Sequence, residues 1–239
     1  MADADPEEMS HSEGEDVEGV TDDEDDWDAG GSDDDWDEGM EAGGAKEETA
    51  EEAEIRRNRL EAEEMSKKFT GQGSGAATMR LISDLQQLGK VQGEYGFRAE
   101  PRGDNLYMWD VYLDQIDEKS LLGKDLEQWS SRCKREKAIH MEMIFPPDYP
   151  LAPPFLRVLR PRFKFLTGHV TVGGSVCMQL LTNNGWSPAN TIESVIVQVR
   201  TEILTDERAR LDDTGNVDTE YTMSDAKAAF DRMCRKYGW

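Results

Sequence analysis

No run of apolar residues in this 239-residue chain approaches the roughly 18 needed to span a bilayer. The opening, MADADPEE, has neither the basic stretch nor the apolar core of a secretory signal, and it is the opposite of an Arg-rich transit peptide. Cysteine is scarce. Cys133, Cys177 and Cys234 are an odd number at no metal-ligand spacing, which speaks against a zinc site. Three free thiols in an unsignalled chain fit a reducing compartment, the cytoplasm or the nucleus. Basic residues are nearly missing from positions 1–54, where Lys46 stands alone against 25 acidic side chains. The remaining positions balance at 26 acidic and 26 basic, so the net charge of −24 belongs to one end. A neutral body excludes a basic nucleic-acid face as its main business and argues against docking on anionic membranes.

What is present divides the chain in two. Residues 1–54 combine high charge, few aliphatics and many glycines, and too little apolar area to offset chain entropy, so they are expected to be disordered. Trp27 and Trp36 sit in two similar acidic settings, EDDWDAG and DDDWDEG, which read either as low-complexity drift or as a short acidic-aromatic docking motif. Residues 55–68 favour a solvated helix with a thin apolar stripe, and GQGSG at 71–75 breaks the chain. The expected organisation is therefore a tail over 1–70 and one folded domain over 71–239.

Within the domain the periodicity changes several times. Leu81, Ile82, Leu85 and Leu88 mark an amphipathic helix over 76–90. Strand-like runs follow at 95–99, 106–114, 138–145 and 155–160. The second places Tyr107, Trp109, Val111 and Leu113 on one face; the third places Ile139, Met141, Met143 and Phe145 together, with His140 and Glu142 opposite. Residues 117–136 are too long for a hairpin turn and read as an inserted helix. A helix starts after Thr191, and a last one runs from about Ser224 to Tyr237 with Phe230, Met233, Cys234 and Tyr237 as its apolar stripe. Helix, four strands, a long loop and two helices predict an α+β fold, a four-stranded antiparallel meander flanked by helices.

Three local motifs occur in one order: FPPDYPLAPP at 145–154, GSVCMQLL at 174–181 and GWSPA at 185–189. As an ordered set they closely resemble the Pro-rich turn, the active-site segment and the Trp-Ser-Pro loop of the ubiquitin-conjugating enzymes, over residues 76–204. The family's His-Pro-Asn tripeptide is replaced by Thr167-Gly168-His169. The Gly-rich run before the cysteine, a longer loop before Trp186, IESVIVQV and the Tyr-Gly-Trp ending resemble the Q class in particular. Members of that class often carry an acidic N-terminal extension. Some have a further folded N-terminal domain, for which residues 1–70 are too short and too polar.

The resemblance implies a ubiquitin-conjugating-enzyme fold and a cysteine-thioester acyltransferase. Cys177 would accept ubiquitin from the activating enzyme and pass it to a protein substrate, with or without a ubiquitin ligase. Thioester transfer needs a soft nucleophile that is also a good leaving group, and a thiolate is both. Gly173 and Gly174 would give an extended peptide tail backbone access without side-chain bulk. Cys133, among Arg132, Lys134 and Arg135, is the rival nucleophile; Cys234 is expected in the core. His169 stands where the family has Asn, and would donate to an oxyanion, act as a base, or satisfy only local backbone groups. Leu151, Ser187, Pro188 and Ala189 match ligase-binding loops, and Arg80 a position that meets the activating enzyme. Asp206, Glu207, Asp212 and Asp213 occupy the loop whose carboxylate assists lysine attack. No metal and no cofactor are implied, ATP being used by the upstream activating enzyme. The alternatives are a non-catalytic ubiquitin-binding adaptor of the same fold and an acidic histone-chaperone-like protein in which the tail is the function.

Overall fold

A computed structural model describes residues 73–239. The acidic tail expected over 1–70, with its disorder, its tryptophans and its helix at 55–68, lies outside the described residues. The order is α1 (Gly75–Val91), β1 (Phe97–Arg102), β2 (Asn105–Leu113), α2 (Leu121–Cys133), β3 (Ile139–Ile144), β4 (Phe155–Arg160), a short 3₁₀ turn (Gln179–Leu181), α3 (Ile192–Thr205) and α4 (Met223–Tyr237). The strands form one antiparallel sheet in sequence order, as the meander requires.

All four helices begin on a hydroxyl. Ser74, Ser120, Thr191 and Thr222 each accept a hydrogen bond from the N–H three residues on, which satisfies one of the otherwise unpaired donors of a first turn. Thr191 and Ser194 do so reciprocally. The buried stripes of α1 (Ala77, Leu81, Ile82, Leu88) and α3 (Ile192, Val195, Ile196, Val199, Ile203) join Trp109, Val111, Met141 and Met143 of the sheet in one core. The first strand runs through Pro101 rather than stopping before it. Pro101 sits beside a register shift on the edge strand, where a missing N–H costs no ladder bond.

The other face of the sheet carries charge. Glu100, Asp110 and Glu142 lie side by side across β1, β2 and β3, with Arg157 of β4 next in the row. Like charges directly opposite repel. Arg102 resolves this by holding Asp110 with two nitrogens, at 2.9 and 2.5 Å, while also reaching Glu142. From the other side, Arg157 Nε donates to Glu142 Oε2 at 2.7 Å and its Nη1 donates to the Tyr221 carbonyl at 2.6 Å. His140 bonds Asp110 at 2.7 Å and stacks on Tyr112 with centroids 4.4 Å apart, a structural part as its mid-strand position suggested.

The last helix departs from the expected stripe. Its buried residues are Ala226, Ala229 and Met233, with Phe230 edge-on to Phe155 at 5.7 Å. Cys234 is only half-buried and Tyr237 is exposed, so neither is core. Small side chains are needed here because α4 lies almost in contact with backbone. A Cβ on Gly173 would collide with the Asp225 carbonyl oxygen, and one on Gly174, at φ +94°, would strike the Tyr221 ring. The glycine pair is thus filled over by α4 and Tyr221, not open to an incoming chain as expected.

Glu142 and Arg157 are both almost fully shielded from water. Replacing Glu142 with Ala is expected to cost about 3–5 kcal/mol in urea denaturation, since it leaves a buried guanidinium without its carboxylate. The double replacement Glu142→Met, Arg157→Leu should recover most of that loss. A single-variant cost near zero would show that water reaches the pair.

Candidate active site

The chain between β4 and the 3₁₀ turn folds back on itself. Val170 bridges Val176, and the Cys177 N–H donates to the His169 carbonyl at 2.7 Å. Leu166, Gly168 and His169 all have positive φ, near +60°. Histidine enters this left-handed region more readily than most residues, and Gly168 enters it without a Cβ that would hit the Phe163 ring at 2.7 Å. Asp206, at the C-terminal cap of α3, fastens the segment by accepting from Gly168 N–H at 2.8 Å. Burial works against its charge, but the Gly168 and Arg208 N–H groups win and hold its carboxyl below the usual range. Thr167 Oγ1 donates to the Lys164 and Arg210 carbonyls, closing the other side.

Cys177 is half-buried where two clefts meet. One, about 620 Å³, lies against α3 and is lined by Gln179, Gln198 and Glu202 with Trp239 at its end. The other, about 360 Å³, lies between residues 165–172 and α4. His169, Cys177 and Tyr237 line both. The His169 ring reaches toward Glu202, with Nε2 3.6 Å from Oε2. Burial pushes the Cys177 thiol up, the neighbouring Cys234 adds to this and Lys236 opposes it. The resting residue is therefore a protonated thiol near neutral pH.

The other expected residues are distributed as follows. Leu151 is 75 % exposed, and Ser187, Pro188 and Ala189 are exposed beside it on a second loop. Trp186 Nε1 donates to the Pro150 carbonyl at 2.7 Å and ties the two loops into one surface. Arg80 is not a free cation. It pairs with Asp84 at 3.0 Å and donates to the carbonyls of Pro188 and Asn190 at 2.8 and 2.6 Å, clamping that same surface onto α1. Asp84 is buried, which raises its carboxyl, and it also accepts from Tyr149 Oη at 2.8 Å. Cys133 ends α2, packs partly against the core and lines neither cleft. Of the four candidate acids, Asp206 alone lines a cleft beside Cys177, and its oxygens are committed to the loop. Asp213 pairs with Lys164 at 3.0 Å. Among the described residues, no three His, Cys, Asp or Glu side chains are grouped to hold a metal, and no helix is long and apolar enough to cross a membrane.

Sequence reasoning missed Glu202, Gln198 and the cleft residues Phe165, Val172, Arg232 and Lys236. Gln198, Glu202, Arg232 and Lys236 are brought to Cys177 from distant helices, and Phe165 and Val172 by the fold-back of the segment that holds it, so no local spacing betrays them. The Tyr-Gly-Trp ending stood out as a class feature; Tyr237 and Trp239 stack at 5.1 Å and line one cleft with Cys177.

A sequence profile described as "Ubiquitin-conjugating enzyme" matches residues 132–237, from the end of α2 to the end of α4. The Q-like protein 1 of the ubiquitin-conjugating enzymes of Mus musculus is 31% identical over 161 residues, covering 66% of this chain and 95% of that protein. Ubiquitin-conjugating enzyme E2 Q1 of Homo sapiens is 33% identical over 172 residues, covering 70% of this chain and 40% of that one. A solved ubiquitin-conjugating enzyme from Plasmodium falciparum aligns with a TM-score of 0.44 at 20% identity, over 58% of this chain and 91% of that one. Since nearly the whole of the mouse relative is matched above 30% identity, the chain belongs to the ubiquitin-conjugating enzyme family, in its Q class.

The raised Cys177 thiol makes a measurable difference among the three cysteines. Iodoacetamide should modify Cys177 more slowly near neutral pH than an ordinary thiol of pKa about 8.5, with the rate climbing as the pH rises further. Lys236→Ala removes a cation that favours the thiolate and should slow the reaction. Peptide mapping by mass spectrometry reads each site, and faster labelling of Cys177 than of a free thiol at neutral pH would overturn the burial argument.

Proposed function

We propose that Cys177 accepts ubiquitin from the activating enzyme as a thioester and transfers it to an acceptor on a protein substrate. The observation that carries this is the position of Cys177: a half-exposed thiol at the junction of two clefts, held by a backbone bond to a strained segment. Two clefts at one sulfur suit a residue that meets a donor chain and an acceptor in turn. Leu151 with Ser187, Pro188 and Ala189 would receive a ubiquitin ligase. Arg80 would serve the activating enzyme through the loop it clamps. ATP would be spent by the activating enzyme, and this chain would need no cofactor. The cytoplasm or nucleus is the proposed setting.

His169 is assigned the proton transfer. The acceptor's N or O attacks the thioester carbon, its proton passes to the imidazole, and the tetrahedral intermediate expels the Cys177 sulfur. The new amide or ester bond replaces the C–S bond. A thiol with a raised pKa leaves poorly as a bare thiolate, so return of the proton from the imidazolium to sulfur helps the collapse. A hydroxyl acceptor gains more from such a base than an already deprotonated amine, which makes Ser or Thr an acceptor beside Lys.

Incubation with activating enzyme, ATP and ubiquitin should give a reductant-sensitive conjugate on the wild-type protein. Cys177→Ser should give a reductant-stable ester or none, while Cys133→Ala and Cys234→Ala still charge. Normal charging of Cys177→Ala would sink the thioester assignment, and no charging of the wild type would leave a ubiquitin-binding adaptor as the better reading.

Discharge of the charged protein to free lysine, serine and threonine tests His169. His169→Ala should selectively lose hydroxyl discharge, together with the pH dependence of that discharge in the wild type. An equal loss toward lysine and hydroxyls with no pH effect would instead assign His169 to the oxyanion or to loop order. Unchanged rates would remove it from the mechanism.

A further inference from the structure

The 360 Å³ cleft between residues 165–172 and α4 differs in chemistry from its neighbour. Its walls are Phe165, Leu166, Val170, Val172, Ala229 and Met233, whereas the cleft along α3 offers Gln179, Gln198 and Glu202. Of the eight most exposed large apolar side chains among the described residues, four surround this one cleft: Phe165, Leu166, Val172 and Tyr237. Exposed apolar surface gathered in one place marks a contact site rather than random scatter. Leu166 is 69 % exposed although its backbone is held left-handed at φ +61°, a conformation disfavoured in a residue with a Cβ.

The rim is cationic. Arg208, Arg232 and Lys236 line the cleft against a single carboxylate, Asp206. That carboxylate is already engaged by Gly168 and Arg208. Among the described residues Arg232 has no acidic partner within ion-pair distance, and Lys236 only lies over the Tyr237 ring at 5.2 Å. An apolar floor inside a positive rim complements an apolar side chain carried between acidic ones.

We propose that this cleft is the acceptor-binding site and selects substrate segments in which an apolar or aromatic residue lies among aspartates and glutamates close to the modified side chain. The proposal rests on Cys177 as the thioester residue. A donor that ends in glycine brings no side chain to fill an apolar cavity at the sulfur. An acceptor segment does, and anchoring it here delivers its nucleophile past His169, which lines the cleft beside Cys177. The site would thus set substrate preference without a ligase, because the recognition surface and the reacting sulfur share one wall.

The test uses the full-length protein, charged with ubiquitin, and three synthetic peptides with one lysine each. The first has a tryptophan near the lysine flanked by Asp and Glu; the second replaces the acids with Asn and Gln; the third replaces the tryptophan with Ser. Each discharge rate is divided by that to free lysine, so a general defect in any variant cancels. The first peptide should outpace the other two by roughly tenfold, the equivalent of about 1.4 kcal/mol. Arg232→Glu should abolish the advantage of the first peptide over the second, and Val172→Glu its advantage over the third. Equal normalised rates for all three peptides, or an unchanged ranking in both variants, would overturn the proposal. If the wild type forms no thioester, the function proposed above fails, and anisotropy of the labelled peptides on uncharged protein decides the cleft separately. The same ranking, lost in the same variants, would support it, and indifference would refute it.

Discussion

Asp206 ends α3 and faces the bend that precedes Cys177, and its bond to the Gly168 N–H couples the two. A bend with Leu166 and His169 both left-handed is unfavourable on its own and persists only when its surroundings hold it. The Asp206 carboxylate, the Thr167 hydroxyl and the contact of Gly168 with the Phe163 ring together supply that hold. The His169 carbonyl then receives the Cys177 N–H. The position of the sulfur, the direction of the imidazole and the wall that parts the two clefts all follow from this one fastening. It also commits the Asp206 oxygens to the loop although the side chain stands beside Cys177.

A second rigid unit supports the exposed loops. Tyr149, Asp84 and Arg80 form a buried-to-surface relay of hydrogen bonds, and Arg80 and Trp186 grip the carbonyls of the Pro-rich and Trp-Ser-Pro loops. Leu151, Ser187, Pro188 and Ala189 can therefore stand in solvent without the loops wandering. Binding surfaces built this way lose little entropy on engagement, because the backbone that presents them is already ordered. The charged face of the sheet is rigid by a different route, with Arg102 and Arg157 on either side of carboxylates that would otherwise repel.

The departures from the common family pattern converge on the same region. A glycine pair lets α4 approach to within contact of the 172–174 backbone. That approach brings Cys234, Lys236, Tyr237 and Trp239 to the neighbourhood of Cys177. His169 takes the place of an asparagine in a segment that favours residues able to turn left-handed. A thiol surrounded in this way is harder to ionise than an open one.

Periodicity alone determined most of the elements. Alternation over 106–114 and 138–145, the i, i+4, i+7 leucines of the first helix and the hydroxyl caps are local signals, because each depends on side chains a few residues apart in chain order. The proposed thioester residue was legible for the same reason: Cys177 sits inside contiguous motifs. What only the tertiary structure decided came from residues far apart in the chain. Arg80 changed from a surface cation to a clamp on residues more than a hundred positions away. Cys234 moved from expected core to the margin of the site, because α4 buries Ala226, Ala229 and Met233 instead. Gly173 and Gly174 proved to admit a helix, not a substrate. The two clefts, with Glu202 on one side and Phe165, Val172 and Arg232 on the other, exist only where separate elements meet, and a contact between such elements leaves no spacing in the sequence from which to read it.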